Sequence, residues 1–246
     1  MGARVQDHEP VFNVPGAVLG ALAVLILVHV GRGFLSEPED DWLVWALAFV
    51  PARYDGYSGV LPGGQTAAVT SFLTHMLLHG DITHLVFNSA WLLAFGGAVA
   101  QRIGGARFLC IGALTGVAGA LTFLAFNWGL LAPMIGASGA VSGMMGATMR
   151  FFFSAVDRGG FRQLREAPRS VPLMPLGATL TDRRVVIATG IWLLVNAAAM
   201  LGLGNFGSGG EIAWEAHIGG YFAGLLAFGI FDRRTDEGPS GPWSGP

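Results

Sequence analysis

Charge is scarce in this chain. Only 12% of its 246 residues are Asp, Glu, Lys or Arg, about half the roughly 25% usual in soluble domains. Lysine is missing altogether: all 14 basic residues are arginine. A single cysteine, Cys110, excludes a disulfide within the chain and says nothing about redox compartment. No cluster of basic and aromatic residues points to nucleic acid, the net charge of −2 points to no partner, and no internal repeat is present. A cleaved leader is not expected either. Asp7 and Glu9 precede the first apolar run, that run is too long for a signal core, and no A-x-A site follows it.

In place of charge there are long apolar runs. Residues 10–31, 82–101, 108–149, 185–210 and 216–231 contain no Asp, Glu, Lys or Arg, and the mean hydropathy is +0.56. A helix needs about 20 apolar residues to cross a hydrocarbon core of about 30 Å. The 42-residue run 108–149 has room for two crossings, with a turn near 127–133. Six spans are therefore expected, at about 11–30, 82–101, 108–127, 137–153, 185–204 and 214–231. The 11 residues Trp42 to Ala52 are too few to cross and read as an interfacial helix. With loops assigned alternately, twelve arginines fall on one side and only Arg32 and Arg53 on the other. The positive-inside rule then places both termini in the cytoplasm. The expected organisation is a cytoplasmic tail (1–10), a membrane domain (11–231) and a disordered cytoplasmic tail (232–246). The membrane domain would include an outer loop (31–80) and an arginine-rich cytoplasmic loop (154–184).

Within the spans the unusual residues are His84, Asn88, Ser138, Ser142, Asn196 and His217. Ionisable groups at membrane depth are costly and often mark a functional site. At 1.5 Å per helical residue, Asn88 lies about 21 Å above Arg102, Ser138 about 18 Å above Arg150 and His217 about 22 Å above Asp232. Three helices thus bring polar side chains to one level, roughly 10 Å beneath the outer face. A serine hydroxyl becomes a nucleophile when a base takes its proton, and histidine is the usual base. Ser138 follows Pro133 and Gly136 at the expected start of a helix, where free amides and the positive dipole end can face an oxyanion. His84 and Asn88, spaced i, i+4, share a face that can complete such a site. Gly139/Gly143 and Gly220/Gly224 are small-xxx-small pairs that let two helices approach closely, which would bring Ser138 to His217.

Taken together, GASG at Gly136–Gly139, the histidine–asparagine pattern His79–His84–Asn88, and AHIGGYFAG from Ala216 to Gly224 resemble the rhomboid intramembrane serine proteases of bacterial type. The resemblance covers about residues 70–231. It implies an all-α, six-helix membrane bundle in the inner membrane, with Ser138 as nucleophile and His217 as general base. His84, Asn88 and the Ser138 amide would form the oxyanion hole, without cofactor or metal. Its partners would be transmembrane protein substrates, cut near the outer face, and the lipid bilayer. Two departures stand out. Thr70-Ser71 occupies the place of a Trp-Arg pair in the first loop, and Ser142 the place of a tyrosine that stacks on the base. Tyr221, one turn beyond His217, is by position the candidate to orient it.

Other readings accompany these. His75 and His79, at i, i+4, have metal-ligand spacing, but no carboxylate or thiol joins them. His79 reads as structural and Asn196 as interhelical glue. Residues 202–211 read as a flexible connection or a gate over the site. The competing functions are a non-proteolytic relative that binds or escorts transmembrane helices, and a solute transporter, which would require inverted repeats.

Overall fold

The computed structural model describes residues 14–166, 168–201 and 213–232. The proposed N-terminal tail, the 202–211 connection and the C-terminal tail beyond Asp232 lie outside the described residues. What is described is helical, with one isolated bridge between Phe49 and Met134 and no strand among the described residues. In chain order the helices are α1 (Gly16–Arg32), α2 (Glu37–Leu47), α3 (Gly64–Thr74), α4 (Ile82–Ile103), α5 (Gly105–Phe126), α6 (Ser138–Met149), α7 (Phe152–Glu166), α8 (Leu176–Thr181), α9 (Arg183–Met200) and α10 (Trp214–Phe231).

A helix stands at each of the six places where a span is expected. Length and composition alone qualify three of them, α4, α5 and α9, to cross a membrane; α1 is apolar but has 17 residues. Their outward faces argue the same way. Leu19, Ile26, Leu27 and Val30 on α1 and Ile187, Ile191, Leu194 and Val195 on α9 are exposed. A helix that is apolar all round belongs in apolar surroundings.

The core is a three-helix contact of α6 with α5 and α10. Glycine makes it possible. A methyl at Gly224 would overlap the Gly143 carbonyl oxygen, one at Gly220 the Gly139 oxygen, and one at Gly146 the Tyr221 oxygen. Backbone therefore lies on backbone, as small-xxx-small pairs permit, and this contact carries Ser138 and His217.

The structure differs from the sequence expectation in three places. Helix α6 has 12 residues, about 18 Å, instead of the expected 137–153. At its end Arg150 turns inward, donating to Leu225 O at 3.0 Å and Met174 O at 2.9 Å. The interfacial helix begins earlier than Trp42, at Glu37, where Ser36 and Glu39 form a capping box. The stretches expected as loops hold further helices: α3 lies within 31–80, α8 within 154–184, and α7 runs into 154–184 from Phe152.

Where α4 and α10 end, Arg102 pairs with Asp232 at 2.7 Å and donates to Pro168 O and Val171 O, with its guanidinium over the Phe151 ring. Both side chains of the pair are nearly buried, at 2% and 9% exposure. Removing one partner strands a buried charge, so Asp232→Ala is expected to destabilise the protein by about 3 kcal/mol. The exposed Arg184–Asp157 pair is the control. Asp157→Ala should leave the unfolding midpoint in detergent unchanged, and equal shifts for the two variants would contradict the assignment.

Candidate active site

Segment 127–137 delivers Ser138. After α5 ends at Phe126 the chain turns at 127–129 and is tied to the loop between α1 and α4 by Phe49 N–H to Met134 O (3.0 Å), Met134 N–H to Phe49 O (2.8 Å) and Gly136 N–H to His75 O (2.9 Å). Buried Arg53 pins that loop from within by donating to the carbonyls of Trp45 and Pro62. Ser138 is then the first residue of α6. Its amide has no carbonyl one turn earlier within the helix to bond, and it sits at the positive dipole end.

His217 lies in the first turn of α10, and its Nε2 is 2.8 Å from Ser138 Oγ. The two residues are 79 apart in sequence; the glycine contact of α6 with α10 closes that gap. Both are partly exposed.

His84 stands on the other side of Gly136. That glycine has φ +118°, a backbone conformation that side-chain-bearing residues rarely adopt. A methyl there would lie 2.7 Å from His84 Nε2 and 3.8 Å from Ser138 Oγ. The imidazole and the hydroxyl therefore border one small space. Asp81 caps α4 by accepting from the His84 amide at 2.8 Å, which fixes the turn carrying the ring. Asn88, one turn on and buried, spends one Nδ2 hydrogen on His84 O at 3.1 Å and keeps the other. The structure thus brings Ser138, His217 and His84 to one place, and Asn88 is bonded to the His84 carbonyl.

Two expectations about neighbours change. Tyr221 does not orient His217. Its hydroxyl is 2.6 Å from Thr189 Oγ1 and its ring stacks on Trp192 at 4.5 Å, so it faces α9. Instead Asn196 Oδ1 lies 2.8 Å from His217 Nδ1. The sequence marked Asn196 as a polar residue in an apolar span and as glue; nothing in the sequence shows that what it joins is the histidine. Ser142, one turn after Ser138, is buried in the helix contact.

His75 and His79 make other contacts. His75 Nδ1 meets Ser71 O at 2.8 Å, and burial pushes the pKa of its ring down to about 4. Burial, with His84 nearby, does the same to His79, which rests edge-on against the His84 ring at 4.9 Å. Among the described residues no group of three His, Cys, Asp or Glu is placed to hold a metal. Thr70 and Ser71 lie in α3, with Ser71 fully buried.

What this arrangement can do is acyl transfer: a hydroxyl with a base at bonding distance, beside helix-start amides and an imidazole able to meet an oxyanion. The family model described as the rhomboid domain matches residues 66–234. The chain is 30% identical over 166 residues to the rhomboid protease GluP of Bacillus subtilis, covering 66% of this chain and 27% of that protein. It is 30% identical over 129 residues to the rhomboid protease GlpG of Haemophilus influenzae, covering 52% of this chain and 58% of that one. With the Serratia proteamaculans GlpG it shares 22% over 216 residues, 88% of this chain and 62% of the relative. The chain thus spans about a quarter of GluP and about three fifths of each GlpG.

Proposed function

The chain belongs to the rhomboid family and is an integral membrane protein; from that premise we propose that it is a serine endopeptidase that cuts transmembrane segments near the outer membrane face. The observation that carries this reading is the 2.8 Å contact between His217 Nε2 and Ser138 Oγ at the start of α6.

Ser138 Oγ attacks a peptide carbonyl while His217 Nε2 takes its proton. The carbonyl oxygen becomes an oxyanion, held by the Ser138 amide, His84 Nε2 and the free Nδ2 hydrogen of Asn88. His217 then gives the proton to the departing amine, leaving an acyl-serine. Water hydrolyses the acyl-serine, with His217 again as base. Six crossings, both termini in the cytoplasm and a bacterial inner-membrane location complete the proposed topology. The arginine asymmetry supports it. The depth of Ser138, at the outer start of a short α6, supports cleavage near the outer face.

The test is purified protein in proteoliposomes with a tagged single-span substrate whose product termini are sequenced by mass spectrometry. Cleavage within the outer third of the substrate's span is expected. Stable binding of intact substrate without cleavage would instead favour the escort function. Asn88→Ala is expected to lower kcat about 100-fold with KM nearly unchanged, because the lost hydrogen bond forms fully only in the transition state. A rise in KM at constant kcat would place Asn88 in substrate binding instead.

A further inference from the structure

We propose that Asn196 is a positioning residue that holds His217 in the Nδ1–H tautomer, leaving Nε2 bare to receive the Ser138 proton. The inference rests on the proposed Ser138–His217 chemistry and adds a third member to it.

Asn196 is 7% exposed on a helix of which only 11% is buried. A buried amide in an apolar helix is costly unless both of its ends are satisfied. Here both are. Nδ2 donates to the Trp192 carbonyl at 2.9 Å, one turn back, and Oδ1 faces His217 Nδ1 at 2.8 Å. The first bond decides the orientation of the amide. Turned over, Oδ1 would face the Trp192 oxygen, acceptor against acceptor. With the amide so fixed, Oδ1 can only accept, so the hydrogen in this contact is on Nδ1. A neutral imidazole carries one N–H, and Nε2 is then the lone-pair nitrogen facing the Ser138 hydroxyl.

The placement is built into the helix contact. Val185, Thr189, Trp192 and Asn196 recur at helical spacing on one face of α9. Val185 is buried in a cluster with Tyr221. Thr189 meets the Tyr221 hydroxyl and Trp192 stacks on the Tyr221 ring. Three contacts thus fix the rotation and register of α9 that aim Asn196 at His217. An amide also does this without adding a buried anion, whose desolvation cost at this depth would be large.

The first measurement uses the unaltered protein. Nitrogen-15 histidine spectra in lipid, with His217 assigned by its loss in His217→Ala, should show a protonated Nδ1 and a bare Nε2. A protonated Nε2 in the neutral ring would overturn the proposal. In the cleavage assay, Asn196→Leu should lower kcat by about 100-fold or more with KM unchanged, in line with the large cost of a wrong tautomer in serine proteases. Asn196→Asp still accepts from Nδ1–H but loses the donor to the Trp192 carbonyl and adds a buried charge, so it should fall below wild type while retaining clearly more activity than the Leu variant. Wild-type kcat in the Leu variant, or an Asp variant no better than Leu, would reduce Asn196 to helix packing. Should the Leu variant not fold, the wild-type spectrum and the Asp variant decide. If the unaltered protein cleaves nothing, the protease reading fails, and the tautomer still decides the role of Asn196.

Discussion

Replacing Ser138 with Ala is expected to reduce cleavage of a transmembrane substrate by about 10⁴-fold or more, while the protein unfolds in detergent within about 2 °C of wild type. The activity loss is large because the acyl-enzyme path disappears. The stability change is small because one partly exposed hydroxyl and its single bond to His217 are removed, about 1 kcal/mol. His217→Ala should cost a similar factor, since without a base the hydroxyl stays protonated. The double variant should be no worse than either single one, because nucleophile and base act as a unit. Cleavage by Ser138→Ala within tenfold of wild type would remove the serine from the chemistry. Multiplicative losses in the double variant would mean that the two residues act separately.

The second large effect belongs to the glycines. Gly224→Ala and Gly220→Ala each place a methyl inside a carbonyl oxygen of α6. Relief requires α6 and α10 to separate along their whole contact, so each should destabilise by more than about 3 kcal/mol. Any protein that still folds should lose about 100-fold in kcat, because a 1 Å displacement of a base from its nucleophile costs about that much. Gly190, on α9, is the control: a methyl there meets nothing within 4 Å. Gly190→Ala should be neutral or stabilise by up to about 1 kcal/mol, from helix propensity alone. Equal unfolding midpoints for Gly190→Ala and Gly224→Ala would contradict the close-contact account.

Much of this was legible in the sequence for a physical reason. A membrane admits few polar residues, so His84, Asn88, Ser138 and His217 stood out against an apolar background. Counting helical rise back to the nearest charge puts Asn88, Ser138 and His217 at one expected level. Glycine spacing indicated which two helices touch. Other features were not legible. Where α6 ends, Arg150 meets the carbonyls of Leu225 and Met174, which are 75 and 24 residues away in sequence. Helix α3, GQTAAVTSFLT, is short and weakly patterned, and its hold on the fold comes from burying Ala67 and Ser71. Tyr221 was aimed at His217 by position, but its ring and hydroxyl turn to Trp192 and Thr189. Asn196 was visible as a polar anomaly, and its partner was not. A side chain's aim across a helix contact depends on rotation about the helix axis, which one sequence does not give.

The central claim is that Ser138 is made nucleophilic by His217 within the membrane. The most direct test incubates native membranes with a serine-directed fluorophosphonate and maps the adduct by mass spectrometry. The account predicts one modified peptide, covering the start of α6 with the phosphonate on Ser138 Oγ, and its absence in His217→Ala. Modification of another serine alone, or labelling of Ser138 at the wild-type rate without the imidazole, would contradict it.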